Sequence, residues 1–168
     1  MKRSGPIVIT GFMGCGKSKV AHELALRRNA VMMDLDEWIT TRVGRSPAQL
    51  INEEGEPAFR VIETNALREL LQIDEAGVIA LGGGAWIEEA NRELIDEYDC
   101  TSIWLDTPFE ICWQRITASE EDRPLGRTRE DAEERYILRR PVYALAQLHI
   151  PVGAEETVDN LVDRIHMI

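Results

Sequence analysis

Two short stretches of this 168-residue chain carry residues whose types and spacing suit phosphate chemistry. The first, residues 11–18, is Gly-Phe-Met-Gly-Cys-Gly-Lys-Ser, the phosphate-loop pattern G-x-x-x-x-G-K-S. Gly11, Gly14 and Gly16 permit a tight turn and a close backbone approach, so that successive N–H groups converge into an anion nest. Lys17 adds a full charge for the outer phosphates, and the Ser18 hydroxyl suits Mg²⁺. A helix starting near Lys17 adds its partly positive N-terminus. The second stretch is Asp34-Leu35-Asp36. A phosphate loop with Mg²⁺ needs a carboxylate to hold the metal or its waters, and transfer to an alcohol benefits from a carboxylate that orients the attacking hydroxyl. Two aspartates can divide those jobs. The plain alternative for either is an Asx turn and a helix cap.

Other candidates are weaker one at a time. Gly82-Gly83-Gly84 offers backbone N–H groups where no side chain obstructs approach. Cys15, inside the phosphate loop, is a small filler residue or a thiol near the loop cations. Arg60, Arg123, Arg139 and Arg140 are the cations to consider for anionic ligands, against a base rate of solvated surface arginines. His22, His149 and His166 have no partner that the sequence places beside them, and Trp38, Trp86, Trp104 and Trp113 suit packing.

The elements that must position these groups follow from periodicity. Ile7-Val8-Ile9 is a buried strand leading into the phosphate loop, and a helix over about 17–28 puts Val20, Ala21, Leu24 and Ala25 on one face. Residues 31–33 form a second strand ending at Asp34. Ser46-Pro47-Ala48-Gln49 is a capping-box start, Gly55 breaks that helix, and a longer one covers about 57–72. Strands over 77–81 and 101–105 flank a helix over about 88–97, and Thr107-Pro108-Phe109-Glu110 is a second capping box, for a helix to about 116. The polar stretch 117–128, with Pro124 and Gly126, is a mobile loop. A helix over about 129–147 is interrupted by Pro141, an edge strand covers 148–152, and a last helix covers about 158–166. Alternating strands and helices predict parallel crossovers and a three-layer α/β sandwich. The phosphate loop, the aspartate pair and the triple glycine all fall at carboxyl ends of strands, where open sheets bind ligands.

The formal net charge is −11 without a clustered basic stripe, which argues against a nucleic-acid partner. Cys15, Cys100 and Cys112 give neither a disulfide framework nor a metal-ligand pattern. No run approaches the roughly 20 apolar residues of a membrane span, and the N-terminus passes straight into a strand without a signal-peptide pattern. The expectation is one reduced, cytoplasmic domain over 1–168, with no membrane partner.

Taken together, Gly11 to Ser18, Asp34-Leu35-Asp36, Gly55 to Arg60, Gly82 to Gly84, Arg123-Pro124-Leu125 and Arg139-x-Pro-x-Tyr143 resemble the shikimate kinase family, in its order and near its spacing. The resemblance covers nearly the whole chain. It implies a five-stranded parallel sheet in the order 2-3-1-4-5, a monomer, and ATP-dependent phosphorylation of the 3-hydroxyl of shikimate with Mg²⁺. It also implies roles. Gly14, Cys15, Gly16, Lys17, Ser18 and Lys19 would contact the nucleotide, with Arg115 near the adenine and Arg123 in a lid that closes over ATP. Ser18 and Asp34 would hold the hydrated metal. Asp36 would bind the acceptor hydroxyls and serve as base; Lys17 and Arg123 would complete the catalytic set. Arg60, Arg139 and the backbone of Gly82, Gly83 and Gly84 would grip shikimate, the arginines taking its carboxylate. A segment over about 37–62 would bind the substrate, and 117–128 would be the lid.

The chain departs from the family pattern at Gly126, where a second leucine is usual, and at Lys19, where threonine is common. Residues 151–157 show no clear match to an adenine-contacting loop. The alternatives are a gluconate-type sugar-acid kinase, an aminoshikimate kinase, or a nucleotide-binding regulatory module without turnover. Asp36, Arg60 and Arg139 argue against the gluconate type, and intact Lys17, Ser18, Asp34, Asp36 and Arg123 argue against the inactive module.

Overall fold

A computed structural model describes residues 5–167. Residues 1–4, on which the expectation about a leader partly rests, lie outside the described residues. Five strands, β1 (Ile7–Thr10), β2 (Val31–Asp34), β3 (Ala76–Ala80), β4 (Thr101–Asp106) and β5 (Leu148–Pro151), form one parallel sheet in the order β2-β3-β1-β4-β5. This is the expected order. β1, Ile-Val-Ile-Thr, is buried at every position because both faces of a central parallel strand are covered. The register pairs Asp34 with Ala80 and Thr10 with Trp104. The phosphate loop, Asp34 and the triple glycine thus leave the sheet along one carboxyl edge.

Among the described residues, eight α-helices flank the sheet: α1 (Lys17–Arg27), α2 (Leu35–Val43), α3 (Pro47–Glu54), α4 (Glu56–Leu71), α5 (Glu89–Glu97), α6 (Phe109–Ala118), α7 (Arg129–Tyr143) and α8 (Val158–His166). None of the described helices is long and apolar enough to cross a membrane. In α1 the expected face of Val20, Ala21, Leu24 and Ala25 is the buried one. The Ser46 capping box forms in full: the Ser46 hydroxyl accepts from the Gln49 N–H, and the Gln49 side chain accepts from the Ser46 N–H.

Three local expectations need correction. Helix α2 was not anticipated, because only Leu35 and Ile39 are buried on it and the run Ile39-Thr40-Thr41 is β-branched. Its start is set by the Asp34 carboxylate, which accepts from the N–H groups of Asp36 and Glu37. Thr107 does not cap α6. Its buried hydroxyl donates instead to the Cys15 carbonyl at 3.0 Å, tying the end of β4 to the phosphate loop. Helix α7 stops at Tyr143, two residues beyond Pro141, rather than running to 147.

Candidate active site

The phosphate loop joins β1 to α1, and Gly16 is the N-cap of α1 with φ of 99°. At Gly14, φ is 75° and an added Cβ would come within 2.8 Å of the Cys112 carbonyl, so a side chain is barred both by conformation and by space. The Lys17 ammonium donates to the carbonyls of Gly11 at 2.8 Å and Phe12 at 3.0 Å, which holds the charge over the mouth of the loop. Cys15 is buried, its Sγ 3.7 Å from Lys17 Nζ and its N–H turned inward to the Phe12 carbonyl. Lys19 points outward from α1. Arg115, from α6, donates to the Gly14 carbonyl at 3.1 Å and so lies against the phosphate loop.

Asp34 does two things at once. One carboxylate oxygen caps α2, while the other accepts a 2.7 Å hydrogen bond from the Ser18 hydroxyl. The cap and the candidate metal role are therefore compatible, because they use different oxygens.

Beside the loop is a cavity of about 880 Å³. Asp36, Arg60, Gly82, Gly83, Gly84, Arg123 and Arg139 line it, brought together from α2, α4, the turn after β3, the segment 117–128 and α7. Lys17, Ser18, Lys19, Asp34 and Arg115 do not line it; they belong to the adjoining phosphate loop. Met13 lines the cavity from the loop side. The candidate residues thus fall into two adjacent groups, one at the phosphate loop and one on the cavity.

Close neighbouring side chains explain glycine on this cavity wall. A Cβ at Gly82 would come 2.7 Å from Asp36 Oδ1 and 3.3 Å from Glu63 Oε2, and one at Gly84 would overlap the Arg60 guanidinium. The Gly83 carbonyl accepts from the buried Tyr143 hydroxyl. Gly82 and Gly84 are therefore required because the Asp36 and Arg60 side chains lie directly on this backbone, whereas at Gly83 a Cβ would meet nothing closer than 3.4 Å.

Glu63 belongs to this cavity as well, with no sign of it in the sequence. It sits three residues after Arg60 on α4, a helical pairing distance, but nothing in the sequence says that it is buried. Arg60 donates to Glu63 at 2.6 Å and to Glu56 at 3.0 Å. Burial pushes the Glu63 carboxyl up to about 7, against the pull of Arg60. Burial and, after it, the neighbouring Asp34 push Asp36 up to about 6, while Lys17 and Arg60 oppose the shift.

Arg139 and Arg140 face different ways, as expected for adjacent helical residues. Arg139 is buried on the cavity, and among the described residues no carboxylate pairs with it. Arg140 is half exposed but not simply solvated. It donates to Asp106 at 2.6 Å and lies over the Trp104 ring at 5.5 Å. His149 is not alone either: its Nε2 is 2.8 Å from Asp106, and its ring stacks on Trp104 at 4.3 Å. Arg123 pairs with Glu121 at 2.8 Å, and its Nε is buried without a hydrogen-bond partner.

The family model for shikimate kinase matches residues 13–167. The chain belongs to the shikimate kinase family. A curated shikimate kinase from Salinibacter ruber is 36% identical over 170 residues, spanning 95% of this chain and 81% of the relative. A shikimate kinase from Acinetobacter baumannii, solved in complex with shikimate, superposes with a TM-score of 0.87 at 29% identity, over 99% of this chain and 93% of that one. The shikimate kinase of Bacteroides thetaiotaomicron gives 0.84 at 27% identity over 97% of each chain. This shikimate kinase homologue is therefore an enzyme of the kinase class.

Proposed function

We propose that this kinase transfers the γ-phosphate of ATP to the 3-hydroxyl of shikimate, with the acceptor carboxylate held by Arg139. One observation carries the choice of acceptor. Arg139 is a buried cation on the acceptor cavity with no carboxylate partner among the described residues, whereas Arg60 beside it is paired with Glu56 and Glu63. A buried charge is costly unless paired, so this site favours a ligand that brings an anion, and the guanidinium fork matches a carboxylate in two hydrogen bonds. Arg60, held by its two glutamates, keeps its position against Gly84 and closes one wall.

The remaining residues divide the reaction. The glycine-rich backbone and Lys17 cradle the phosphates. Ser18 and Asp34, a hydroxyl and a carboxylate in contact, are oxygen donors suited to Mg²⁺. Among the described residues there is no cluster of three or more metal-ligating side chains. Such a site fits an ion that takes few protein ligands and several from phosphates and water. Bound there, the metal would neutralise charge on the phosphates. Asp36, on the cavity wall facing the glycines, orients the acceptor hydroxyl and takes its proton. Arg123 brings a further charge from the lid.

An assay coupled to ADP release, run with and without shikimate, tests the activity. Arg139→Ala tests its basis. A charge-assisted hydrogen-bonded pair is worth roughly 1.5–3 kcal/mol, so the Michaelis constant for shikimate should rise about ten- to a hundred-fold, with that for ATP little changed. Arg139→Lys should recover only part, since a point charge cannot reproduce the fork. Arg140→Ala should leave shikimate affinity in place, because Arg140 is engaged with Asp106 outside the cavity. Equal losses in both alanine variants, or none in either, would remove the carboxylate contact from the mechanism.

The raised carboxyls make a pH prediction. The base must be ionised to accept a proton, so kcat/KM for the acceptor should fall as pH drops through about 6, where Asp36 takes up its proton. Stability should move the opposite way. Both groups, ordinarily near 3.8 and 4.5, bind protons more tightly folded than unfolded. Their contribution is complete below about pH 4 and is lost as pH rises through about 6 to 7. Thermal melts of Glu63→Gln and wild type should therefore diverge in the neutral range, the variant being less sensitive to pH. Parallel curves across that range would show that Glu63 is ionised at ordinary carboxylate pH.

A further inference from the structure

We propose that Asn52, Asp122 and Arg127 form a clasp that closes the lid onto the acceptor-binding segment and thereby positions Arg123. The inference rests on the kinase reading above and concerns residues that carry no role in it. Asn52 lies on α3; Asp122 and Arg127 lie in the irregular stretch between α6 and α7. The Asn52 amide donates to Asp122 Oδ2 at 2.7 Å, while its carbonyl accepts from Arg127 Nη2 at 2.9 Å. Arg127 closes the ring by donating to the same Asp122 oxygen at 3.3 Å. The Asp122 carboxyl is accordingly held below its ordinary range, by Arg127 first and Asn52 second. An amide matches this site because it presents a donor to the carboxylate and an acceptor to the guanidinium at once.

The position of the clasp gives it consequence. Asp122 and Arg127 flank a turn in which the Gly126 N–H donates to the Arg123 carbonyl at 2.9 Å. Tying both flanks to α3 fixes the turn that carries Arg123. The turn has a second support on the phosphate loop. Gly126 is buried, and a Cβ there would stand 2.9 Å from Met13 Cε and 3.2 Å from Met13 Sδ. The glycine that departs from the family pattern is thus the point at which the lid backbone lies on Met13. The lid spans the two subsites, resting on Met13 at one and on Asn52 at the other. Asn52 lines the acceptor cavity, but Arg127 does not, so a loss on changing Arg127 cannot come from direct contact with an acceptor there.

The test is a charge swap. Asn52→Asp sets two carboxylates against each other and should open the lid. Adding Asp122→Asn restores a complementary set, with the new amide donating to the new carboxylate and Arg127 still paired. Cleavage after Glu120 or Glu121 by a glutamate-specific protease reads lid opening without catalysis, and it leaves the arginines out of the readout. Exposed charged pairs contribute modestly, so Asn52→Asp should raise cleavage about 3- to 10-fold. Turnover should fall by a similar factor, and the ratio of ATP hydrolysis to shikimate phosphorylation should rise. The double variant should return all three toward wild type. Arg127→Ala should resemble Asn52→Asp, and combining it with Asn52→Ala should add little further. A double variant no better than the single, or Asn52 and Arg127 effects that simply add, would overturn the clasp. A wild-type protein that fails to phosphorylate shikimate would overturn the functional reading instead, and the cleavage result would still decide the clasp.

Discussion

Replacing Lys17 by alanine is expected to lower turnover by roughly 10²–10³-fold, the loss typical when one preorganised group facing developing charge is removed. The structure explains why no neighbour substitutes for it. Lys17 Nζ is held over the loop by the Gly11 and Phe12 carbonyls, while Arg115 is committed to the Gly14 carbonyl and Arg123 to Glu121. The charge acts on the transferred group more strongly in the transition state than in bound ATP, so kcat should fall more than nucleotide affinity. The fold should survive, because the loop is anchored independently by the bond from Thr107 to Cys15 and by the turn from Cys15 N–H to the Phe12 carbonyl. The measurement is steady-state turnover beside a thermal melt. A folded Lys17→Ala protein with near-normal turnover would refute the phosphate-loop assignment.

Asp36→Asn should cost about 10²–10⁴-fold in kcat, the usual contribution of a positioned general base, while ATP binding persists. Asparagine keeps the size that fits against Gly82 but cannot take a proton, and it removes the group responsible for the acidic fall in rate. Asp34→Asn makes the control. Asparagine can still cap α2 through its carbonyl oxygen, so stability should hold. The charge facing Ser18 is lost, so the Mg²⁺ dependence should shift to higher concentration. Magnesium titrations and acceptor Michaelis constants for the two variants should therefore separate cleanly. Indistinguishable profiles would mean that the two aspartates share one role.

Membership of the shikimate kinase family bears on these outcomes but does not replace them. The family match covers residues 13–167 and so includes Lys17, Asp34, Asp36 and Arg139. The division of labour proposed for Lys17, Asp34, Asp36 and Arg139 is the one the resemblance implies, and each variant tests one part of it.

Much of the molecule was legible in the sequence because it depends on local chemistry. The glycine spacing of 11–18 dictates a turn that only glycine adopts readily, and the alternation of apolar strands with helical stripes dictates a parallel sheet with its ligands at one edge. The Ser46 cap needs only a hydroxyl and a glutamine three residues on. Helix geometry says only that one of Arg139 and Arg140 can face a pocket, since adjacent helical residues point about 100° apart; the choice of Arg139 comes with the family resemblance. The strand order came with the family resemblance rather than from periodicity, since hydrophobic patterns say which residues are buried and not which strands are neighbours.

What the tertiary structure decided is where charges lose water and meet each other. The pairing of Arg60 with Glu63 looks in sequence like any exposed helical ion pair; burial turns it into the wall of the acceptor cavity. Thr107 has the spacing of a cap, but its hydroxyl is spent on the phosphate loop 92 residues away. His149 gains Asp106 and Trp104 only when β5 lies beside β4. The contact of Asn52 with Asp122 joins residues 70 apart, and Gly126 has its meaning only against Met13. Hydrogen bonds of this length and desolvation of this degree depend on distances set by the packed sheet and helices, and no pattern within a single segment encodes them.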